Sequence, residues 1–224
     1  MSAAVATNYM ELVERLPLNS LLILNDVSWD DYETLLEEIE GQRHVRISYD
    51  KGRMEIRTLS FGHERWKSFF AHLLAILAEE LSLPLIGGGQ VTLKRKRQAR
   101  GKEPDDCYYI HHAAAVRGKD EIDLAIDPPP DLAIEVDVTS PTLDKFPIYV
   151  SIGVPEIWRY ENDSLSFYRL AGAQYEEIEA SDLFPFLTPA VLLDFLRLGN
   201  KEDITAMNRA FREWVRQQRE AGRA

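Results

Sequence analysis

Two carboxylates interrupt an apolar segment in the middle of the chain. Residues 130–137 read Pro-Asp-Leu-Ala-Ile-Glu-Val-Asp, and the apolar residues among them are typical of a buried strand. Glu135 lies within that strand and Asp137 lies at its end. A carboxylate in a buried strand is costly unless a cation or hydrogen-bond donors contact it. The segment therefore predicts a buried strand that contributes to a charged site.

A second acidic segment precedes another apolar strand. Residues 103–110 read Glu-Pro-Asp-Asp-Cys-Tyr-Tyr-Ile, which puts Asp105 at the start of that strand. Lys145 follows Glu135 by ten residues, and strand alternation puts Asp137 on the same face as Glu135. Two strands that bring carboxylates together beside a lysine suit a hard divalent cation and the hydrolysis of phosphodiesters.

Composition narrows the class of protein. With 224 residues, 45% of them hydrophobic, the chain can bury a substantial core in one domain. Its apolar segments are too short to span a bilayer, so we expect no membrane partner. The N-terminus lacks the basic segment of a signal peptide. A single cysteine, Cys107, excludes an internal disulfide and suits a reducing cytoplasm, which is the location we expect.

Charge bears on the binding of nucleic acid. The net charge of −11 argues against binding driven by overall charge, because phosphates repel an acidic surface. Six cations nevertheless fall within residues 94–102, and five arginines lie between residues 209 and 223. Such clusters are usually solvated faces. For the first cluster, contact with phosphate is the alternative, and the sequence leaves both interpretations open.

The order of predicted elements indicates one compact α/β unit. Ser28 is a suitable N-cap for the first helix, and alternating apolar residues predict a hairpin after it. The second helix carries a strong apolar stripe and ends before Pro84. The predicted helices and strands cover residues 28–41, 45–49, 54–56, 66–81, 105–110, 132–137, 156–160, 165–170, 175–178, 192–196 and 207–215.

A further helix is predicted between the Glu135 strand and Gly153. Both Ser140 and Asp144 are candidates for its N-cap. An N-cap at Ser140 would leave Pro147 well inside the helix, at a cost of about 3 kcal/mol. Asp144 is preferred because it puts Pro147 in the first turn, where the missing N–H is harmless.

Taken as an ordered set, several residues resemble the Uma-type family of the restriction-endonuclease-like superfamily, whose signature is PD-(D/E)XK. The resemblance covers residues 28–190 and is specific as a set, whereas a lone Pro-Asp pair would not be. The residues that carry it are His63-Glu64, Glu103-Pro104-Asp105, Pro130 to Val136, Thr139-Ser140, Lys145, Tyr149 and Gly153 to Trp158.

The resemblance implies an α/β fold of the restriction-endonuclease type, with a mixed central sheet flanked by helices. We assign this domain to residues 28–198, an N-terminal extension to residues 1–27 and a C-terminal helix to residues 199–224. The resemblance also implies a nuclease that depends on Mg²⁺ or Mn²⁺ and has nucleic acid as its substrate.

The superfamily's site residues can be carried over one by one. The aspartate is Asp105 and the glutamate is Glu135, both expected to hold the metal. Strand alternation, and not the resemblance, makes Asp137 a further candidate metal ligand, because it lies on the same face as Glu135. The signature lysine should occupy position 137, and an aspartate there cannot stabilise developing negative charge as a cation does. Members of the family show the same loss, with a lysine on the following helix as the proposed substitute. In this chain that lysine is Lys145.

An acid on a helix often completes the superfamily site. Glu64 is the matching residue, and we include it among the catalytic candidates. Helical phase nevertheless sets Glu64 nearly opposite the apolar stripe of its helix, whereas His63 falls on the edge of that stripe. Both residues lie in the first turn, where phase is poorly fixed.

Two classes of function remain open at this point. One is a metal-dependent endonuclease, favoured by the set of Asp105, Glu135 and Lys145. The other is a noncatalytic binding or assembly module that retains the nuclease fold, favoured by the acidic net charge and by Asp137. The sequence leaves the substrate and the oligomeric state open, a homodimer included.

Overall fold

The fold combines two β-sheets with helices on their faces. A computed structural model describes residues 9–39, 45–89, 91–137 and 145–224. The strands in these ranges are β1 (Leu21–Leu24), β2 (Val45–Asp50), β3 (Arg53–Thr58), β4 (Ile86–Gly87), β5 (Leu93–Arg95), β6 (Arg100–Lys102), β7 (Asp106–Tyr109), β8 (Leu132–Asp137), β9 (Glu156–Glu161), β10 (Ser164–Ala171) and β11 (Gln174–Ile178). The α-helices are α1 (Tyr9–Glu14), α2 (Trp29–Glu38), α3 (Phe61–Leu81), α4 (Ala113–Val116), α5 (Phe146–Ile152), α6 (Pro189–Lys201) and α7 (Ile204–Glu220).

The larger sheet is the mixed sheet that the sequence predicts. Its strand order is β11-β10-β9-β8-β7-β4, with β8 and β9 parallel and the other neighbours antiparallel. Helices α3 and α6 pack on one face, and α5 packs through Ile148 and Ile152 near Ala133 on the other. The prediction of an α/β fold with a mixed central sheet flanked by helices is therefore confirmed.

The smaller sheet has one apolar face and one polar face, and both are buried. Its strand order is β1-β3-β2-β6-β5, antiparallel throughout. The apolar face includes Ile47 and Ile56 and packs against Tyr32 of α2. Alternation sends Arg46, Ser48, Glu55 and Arg57 to the other face. Three of these polar residues, Arg46, Ser48 and Glu55, are at most 6% exposed, so this face does not meet solvent.

Helix α3 organises the main core. Ser60 caps its N-terminus by accepting a hydrogen bond from the backbone N–H of His63, and Ser82 ends it in the left-handed region. Its apolar stripe packs against the mixed sheet through Leu132, Ile134 and Val136. Because successive residues of a strand point to opposite faces, Glu135 and Asp137 are turned away from α3. They face the side on which α5 lies.

The N-terminal part of the chain contains structure that the sequence analysis did not predict. Strand β1 lies within residues 1–27 and pairs with β3 across Leu22 and Ile56. Its Leu-Leu-Ile-Leu sequence has no alternation, and so short an apolar run does not distinguish a strand from a helical segment. The extension therefore contributes one strand to the smaller sheet.

Two local features position the segments around the site. Helix α5 has Lys145 at its N-cap position and Pro147 in its first turn, and it ends at Gly153 with φ of 90°. The predicted N-cap Asp144, like Ser140, lies outside the described residues. In β6, a Cβ on Gly101 would lie 2.1 Å from Tyr32 Oη, so only glycine allows this close approach to α2.

Candidate active site

The candidate site lies where the polar face of the smaller sheet meets strand β8. Glu135 and Asp137 come from β8, and Lys102 comes from β6 of the smaller sheet. Lys145 comes from the start of α5. Asp105 precedes β7 and its Oδ2 accepts a hydrogen bond from the backbone N–H of Val136 at 2.7 Å. Two stretches of the chain, residues 102–105 and residues 135–145, thus contribute the charges of one buried cluster.

Glu135 is the most heavily contacted carboxylate of the cluster. It is 2% exposed, and its Oε2 accepts a hydrogen bond from Lys145 Nζ at 2.5 Å. Its Oε1 lies 3.1 Å from Lys102 Nζ and accepts a hydrogen bond from the Tyr149 hydroxyl. Burial and the neighbouring Glu135 carboxylate raise the pKa of Tyr149 well above its usual value, so the phenol stays protonated as a donor. Each carboxylate oxygen of Glu135 therefore contacts a cation, and Oε1 also accepts a hydrogen bond, which offsets the cost of burying the charge.

Asp105 is held in its ionised form. It is 4% exposed, and His63 Nε2 lies 3.2 Å from its Oδ2. Burial favours the neutral acid, but the interactions with His63 and Lys102 outweigh burial and hold the pKa of Asp105 well below its usual range. The side chain is consequently an anion at neutral pH.

Asp137 stands where the signature lysine is expected, and it is surrounded by cations. The residue is fully buried. Its Oδ1 lies 2.5 Å from Arg57 Nη1 and 2.8 Å from Lys145 Nζ, and its Oδ2 lies 3.3 Å from Arg159 Nε. Burial raises its pKa, but Lys145 and Arg57 together lower it below its usual value. Asp137 is therefore an anion in direct contact with the ammonium of Lys145.

The two lysines of the cluster differ in their electrostatic surroundings. Burial lowers the pKa of Lys145, but Glu135 and Asp137 outweigh burial and raise the pKa above its usual value. For Lys102 burial is the stronger effect, and the pKa is lowered in spite of Glu135. Lys145 is thus a fixed cation at neutral pH, whereas Lys102 is the less strongly compensated of the two.

A small cavity opens beside the carboxylates. Its volume is about 10 Å³, close to the space that one water molecule needs. Four cations and two carboxylates contribute to its wall, and three of the cations are paired with Glu135 or Asp137. The lining residues are Arg46, Ser48, Glu55, Arg57, Lys102, Asp105 and Lys145.

Comparison with known proteins identifies the family. A sequence profile of the Uma2 family, described as "Putative restriction endonuclease", matches residues 29–198. The chain belongs to the Uma2 family. The resemblance drawn from the ordered motif residues is therefore confirmed.

Among solved structures, one similar chain is a protein from Anabaena variabilis ATCC 29413, described as a "putative nuclease belonging to DUF820". The two share 14% sequence identity with a TM-score of 0.46, over 67% of this chain and 90% of the other. A search of curated protein sequences finds no significant match. In the described parts of the chain, no helix has the length and apolar character that crossing a bilayer requires.

In this Uma2-family chain, the structure brings together most of the residues that the sequence singles out. Glu135, Asp137 and Lys145 are in direct contact, and Asp105 is bonded to the backbone beside Glu135. Their roles as metal ligands or catalytic groups stay predictions. No group of three or more His, Cys, Asp or Glu side chains within the described ranges is arranged to hold a metal ion.

The first turn of α3 places His63 against the buried cluster, whereas the resemblance predicts Glu64 as the site residue. The Glu64 side chain is 45% exposed and lies 3.8 Å from Arg46 Nη2. Its neighbour His63 is buried and contacts Asp105. Glu64 thus meets the cluster through His63 and Arg46, in accord with the helical phase. Its predicted catalytic role remains a prediction.

Several residues of the cluster were missed by the sequence analysis. Lys102 was grouped with the basic run of residues 94–102, yet it is 2% exposed and contacts Glu135. Other members of that run have separate partners, since Lys94 and Lys96 both pair with Glu33. The remaining missed residues are Arg57 and Arg159. The available signal was strand alternation, which separates Arg46 and Arg57 from the apolar residues of the hairpin.

Proposed function

We propose that this Uma2-family protein is a Mg²⁺-dependent nuclease that hydrolyses phosphodiester bonds of nucleic acid. The observation that supports this most strongly is the position of Lys145, whose ammonium contacts both Glu135 and Asp137. The superfamily signature calls for a cation beside the glutamate of this strand. In this chain α5 supplies that cation.

Asp105 and Glu135 suit the metal that the proposal requires. Mg²⁺ prefers hard oxygen ligands and is usually held by one or two carboxylates, with waters and substrate phosphates completing its shell. The low pKa of Asp105 keeps that ligand ionised. When bound, Mg²⁺ would stabilise negative charge on the phosphate oxygens. Because Lys145 and Lys102 already contact Glu135, we expect the metal to compete with an ammonium for that carboxylate.

The protein's own residues have distinct roles in the proposed reaction. Lys145 keeps its proton because Glu135 and Asp137 raise its pKa, so it acts as a fixed positive charge and not as a base. It would stabilise the charge that develops on the phosphate as water attacks. Asp137 was predicted to be a metal ligand. Since three cations surround it, we propose that it positions Lys145 instead.

A cleavage and binding experiment tests the proposal. Purified protein is incubated with single- and double-stranded DNA and RNA in Mg²⁺ or Mn²⁺, and Mn²⁺ binding is measured by calorimetry. We expect metal-dependent cleavage and Mn²⁺ binding by the wild type, and loss of both in Glu135→Ala. Glu177→Ala, which removes an exposed carboxylate on β11, is the matched control and should behave as the wild type. Equal Mn²⁺ binding by wild type and Glu135→Ala would remove Glu135 from the site.

The second candidate is a noncatalytic binding or assembly module. The observation that favours it is the internal compensation of the cluster: Asp105 is paired with His63, Glu135 with Lys145 and Asp137 with Arg57. A polar layer of this kind is neutralised without a metal. Failure of the wild type to cleave any of these substrates, together with failure to bind Mn²⁺, would favour the module.

A further inference from the structure

Two arginines lie directly opposite each other in the hairpin that faces the site. Arg46 of β2 and Arg57 of β3 are partners in the antiparallel register. Directly opposed residues have Cβ atoms roughly 4.5–5.5 Å apart, and like charges at such positions are destabilising. Arg46 is 4% exposed and the Arg57 side chain is 12% exposed, so little solvent screens the repulsion. Arg57 pairs with Asp137 and Arg46 lies 3.8 Å from Glu64, so the pair is partly compensated, and an anion between the two guanidinium groups would reduce the remaining repulsion.

The contacts of Arg57 leave donor capacity unused. Its Nη1 pairs with Asp137, while its Nη2 is buried and has no hydrogen-bond partner among the residues that the structure describes. A buried donor without an acceptor is unfavourable. Arg46 donates to the carbonyl of Val45 and lies 3.8 Å from Glu64. An incoming anion would give Arg57 Nη2 the acceptor that it lacks.

Both arginines contribute to the wall of the cavity that Asp105 and Lys145 also line. The cavity has room for about one water molecule, and a single phosphate oxygen has a similar size. Three of the four cations in its wall are paired with Glu135 or Asp137, so the buried Nη2 of Arg57 is the group that favours an anion there. The planar fork of a guanidinium group can also donate to two oxygens of one phosphate.

We infer that Arg46 and Arg57 form an anion site that receives a nonbridging phosphate oxygen next to the candidate hydrolytic residues. The phosphodiester as natural ligand rests on the proposed nuclease function. The anion site itself does not, because inorganic phosphate carries the same chemistry. The pair would hold the phosphate oxygen beside Asp105 and Lys145, so its role is to bind and orient the substrate.

The first experiment uses inorganic phosphate on the intact chain, without divalent metal. The unfolding temperature is measured in phosphate and in chloride at equal ionic strength, since a ligand of the folded state stabilises by mass action. Phosphate also stabilises folded proteins by exclusion from their surface, so we expect it to raise the unfolding temperature of the wild type by more than that of Arg46→Gln or Arg57→Gln. Each variant is compared with itself in chloride, so a change in its own stability does not obscure the result.

The matched control is Arg100→Gln. Arg100 lies on β6 of the same sheet and pairs with Asp50 at 2.8 Å, in a partly exposed ion pair. This variant removes one positive charge from the sheet without touching the cavity, and it should keep the full phosphate effect. Absence of a phosphate effect in the wild type, or an equal effect in Arg57→Gln, would overturn the inference.

The second experiment measures the affinity for a short oligonucleotide in the presence of a metal chelator. A charge-assisted hydrogen bond supports a loss of roughly tenfold in affinity in Arg46→Gln and in Arg57→Gln, with Arg100→Gln unchanged. If phosphate binds through the arginines but no nucleic acid is bound or cleaved, the anion site stands and the nuclease proposal fails. If wild type cleaves nucleic acid and both arginine variants bind it equally well, the anion site fails and the nuclease proposal stands.

Discussion

Asp137 and Glu80 each form ion pairs with three cationic side chains, but the two carboxylates have different surroundings. Asp137 is fully buried between the two sheets, whereas Glu80 lies on α3 where α7 packs and is 9% exposed. The arginines that contact Glu80 are about one-third to one-half exposed. The partners of Asp137 are Arg57, Lys145 and Arg159, and those of Glu80 are Arg212, Arg216 and Arg219.

The ion pairs of Glu80 can be explained by the packing of α7 on α3. The buried cluster around Asp137 cannot be explained in the same way. The arginines around Glu80 keep much of their hydration. Their ion pairs with Glu80 can therefore stabilise the packing of α7 on α3 at little desolvation cost. The charges around Asp137 lose their hydration, and apolar residues of similar volume often give equal or greater stability at such positions. The buried cluster is therefore better explained by chemistry than by stability.

The largest effect is expected when Asp137 is removed. Asp137→Ala leaves Arg57 and Lys145 buried with less compensation, and breaking a buried ion pair in this way typically costs about 3–5 kcal/mol. The free energy of unfolding, measured by chemical denaturation, should fall by that amount. Glu80→Ala is the matched variant at the surface cluster and should lose far less. Equal, small losses in both variants would erase the distinction between the two clusters.

A smaller effect is expected at Glu80 at neutral pH. Hydrogen bonds from Arg216 and Arg212 lower the pKa of Glu80 from 4.5 to about 2. Glu80→Gln should lower the free energy of unfolding by about 1 kcal/mol, as for surface ion pairs. Glu79→Gln, which removes an exposed partner of Arg212, should lose less.

The pH dependence of the same variant gives a further check. Because the folded pKa of Glu80 lies below its unfolded value, the unfolded state binds more protons and the stabilisation is present above pH 4.5. The difference in unfolding free energy between wild type and Glu80→Gln should shrink as the pH falls from 4.5 toward about 2. A difference that is independent of pH in this window would show that Glu80 acts through packing and not through its charge.

Much of the fold and part of the site could be predicted from local sequence. Helix α3 has an apolar stripe at helical spacing, and β8 has a short apolar run, so both follow from periodicity. Glu135 and Asp105 stood out because carboxylates are unusual at the positions of apolar strands. Lys145 was noted for its spacing from Glu135, and its substitute role came from the family resemblance, since nothing in the local sequence shows that its side chain reaches the carboxylate.

The missed residues depend on contacts between distant segments. Lys102 looks like one more cation of a solvated run, and only the pairing of β6 with β2, which sets Lys102 opposite Ser48, places it inside. Arg46 and Arg57 alternate with apolar residues, which normally indicates a solvent-facing side. Here the second sheet covers that side. Sequence periodicity shows that a strand has two faces, but it does not show what covers each of them.

The most direct test of the central claim is one variant, Lys145→Met, examined for both stability and cleavage. Asp137 keeps Arg57 and Arg159, and Glu135 keeps Lys102, so the free energy of unfolding should change by only about 1 kcal/mol. Removing a charge that stabilises the transition state should slow Mg²⁺-dependent cleavage by about 10²–10³-fold. Lys119→Met, at an outer ion pair with Asp127, is the control and should cleave as the wild type does. A large loss of stability in Lys145→Met, with cleavage per folded molecule unchanged, would contradict the account, because the buried cluster would then serve stability alone.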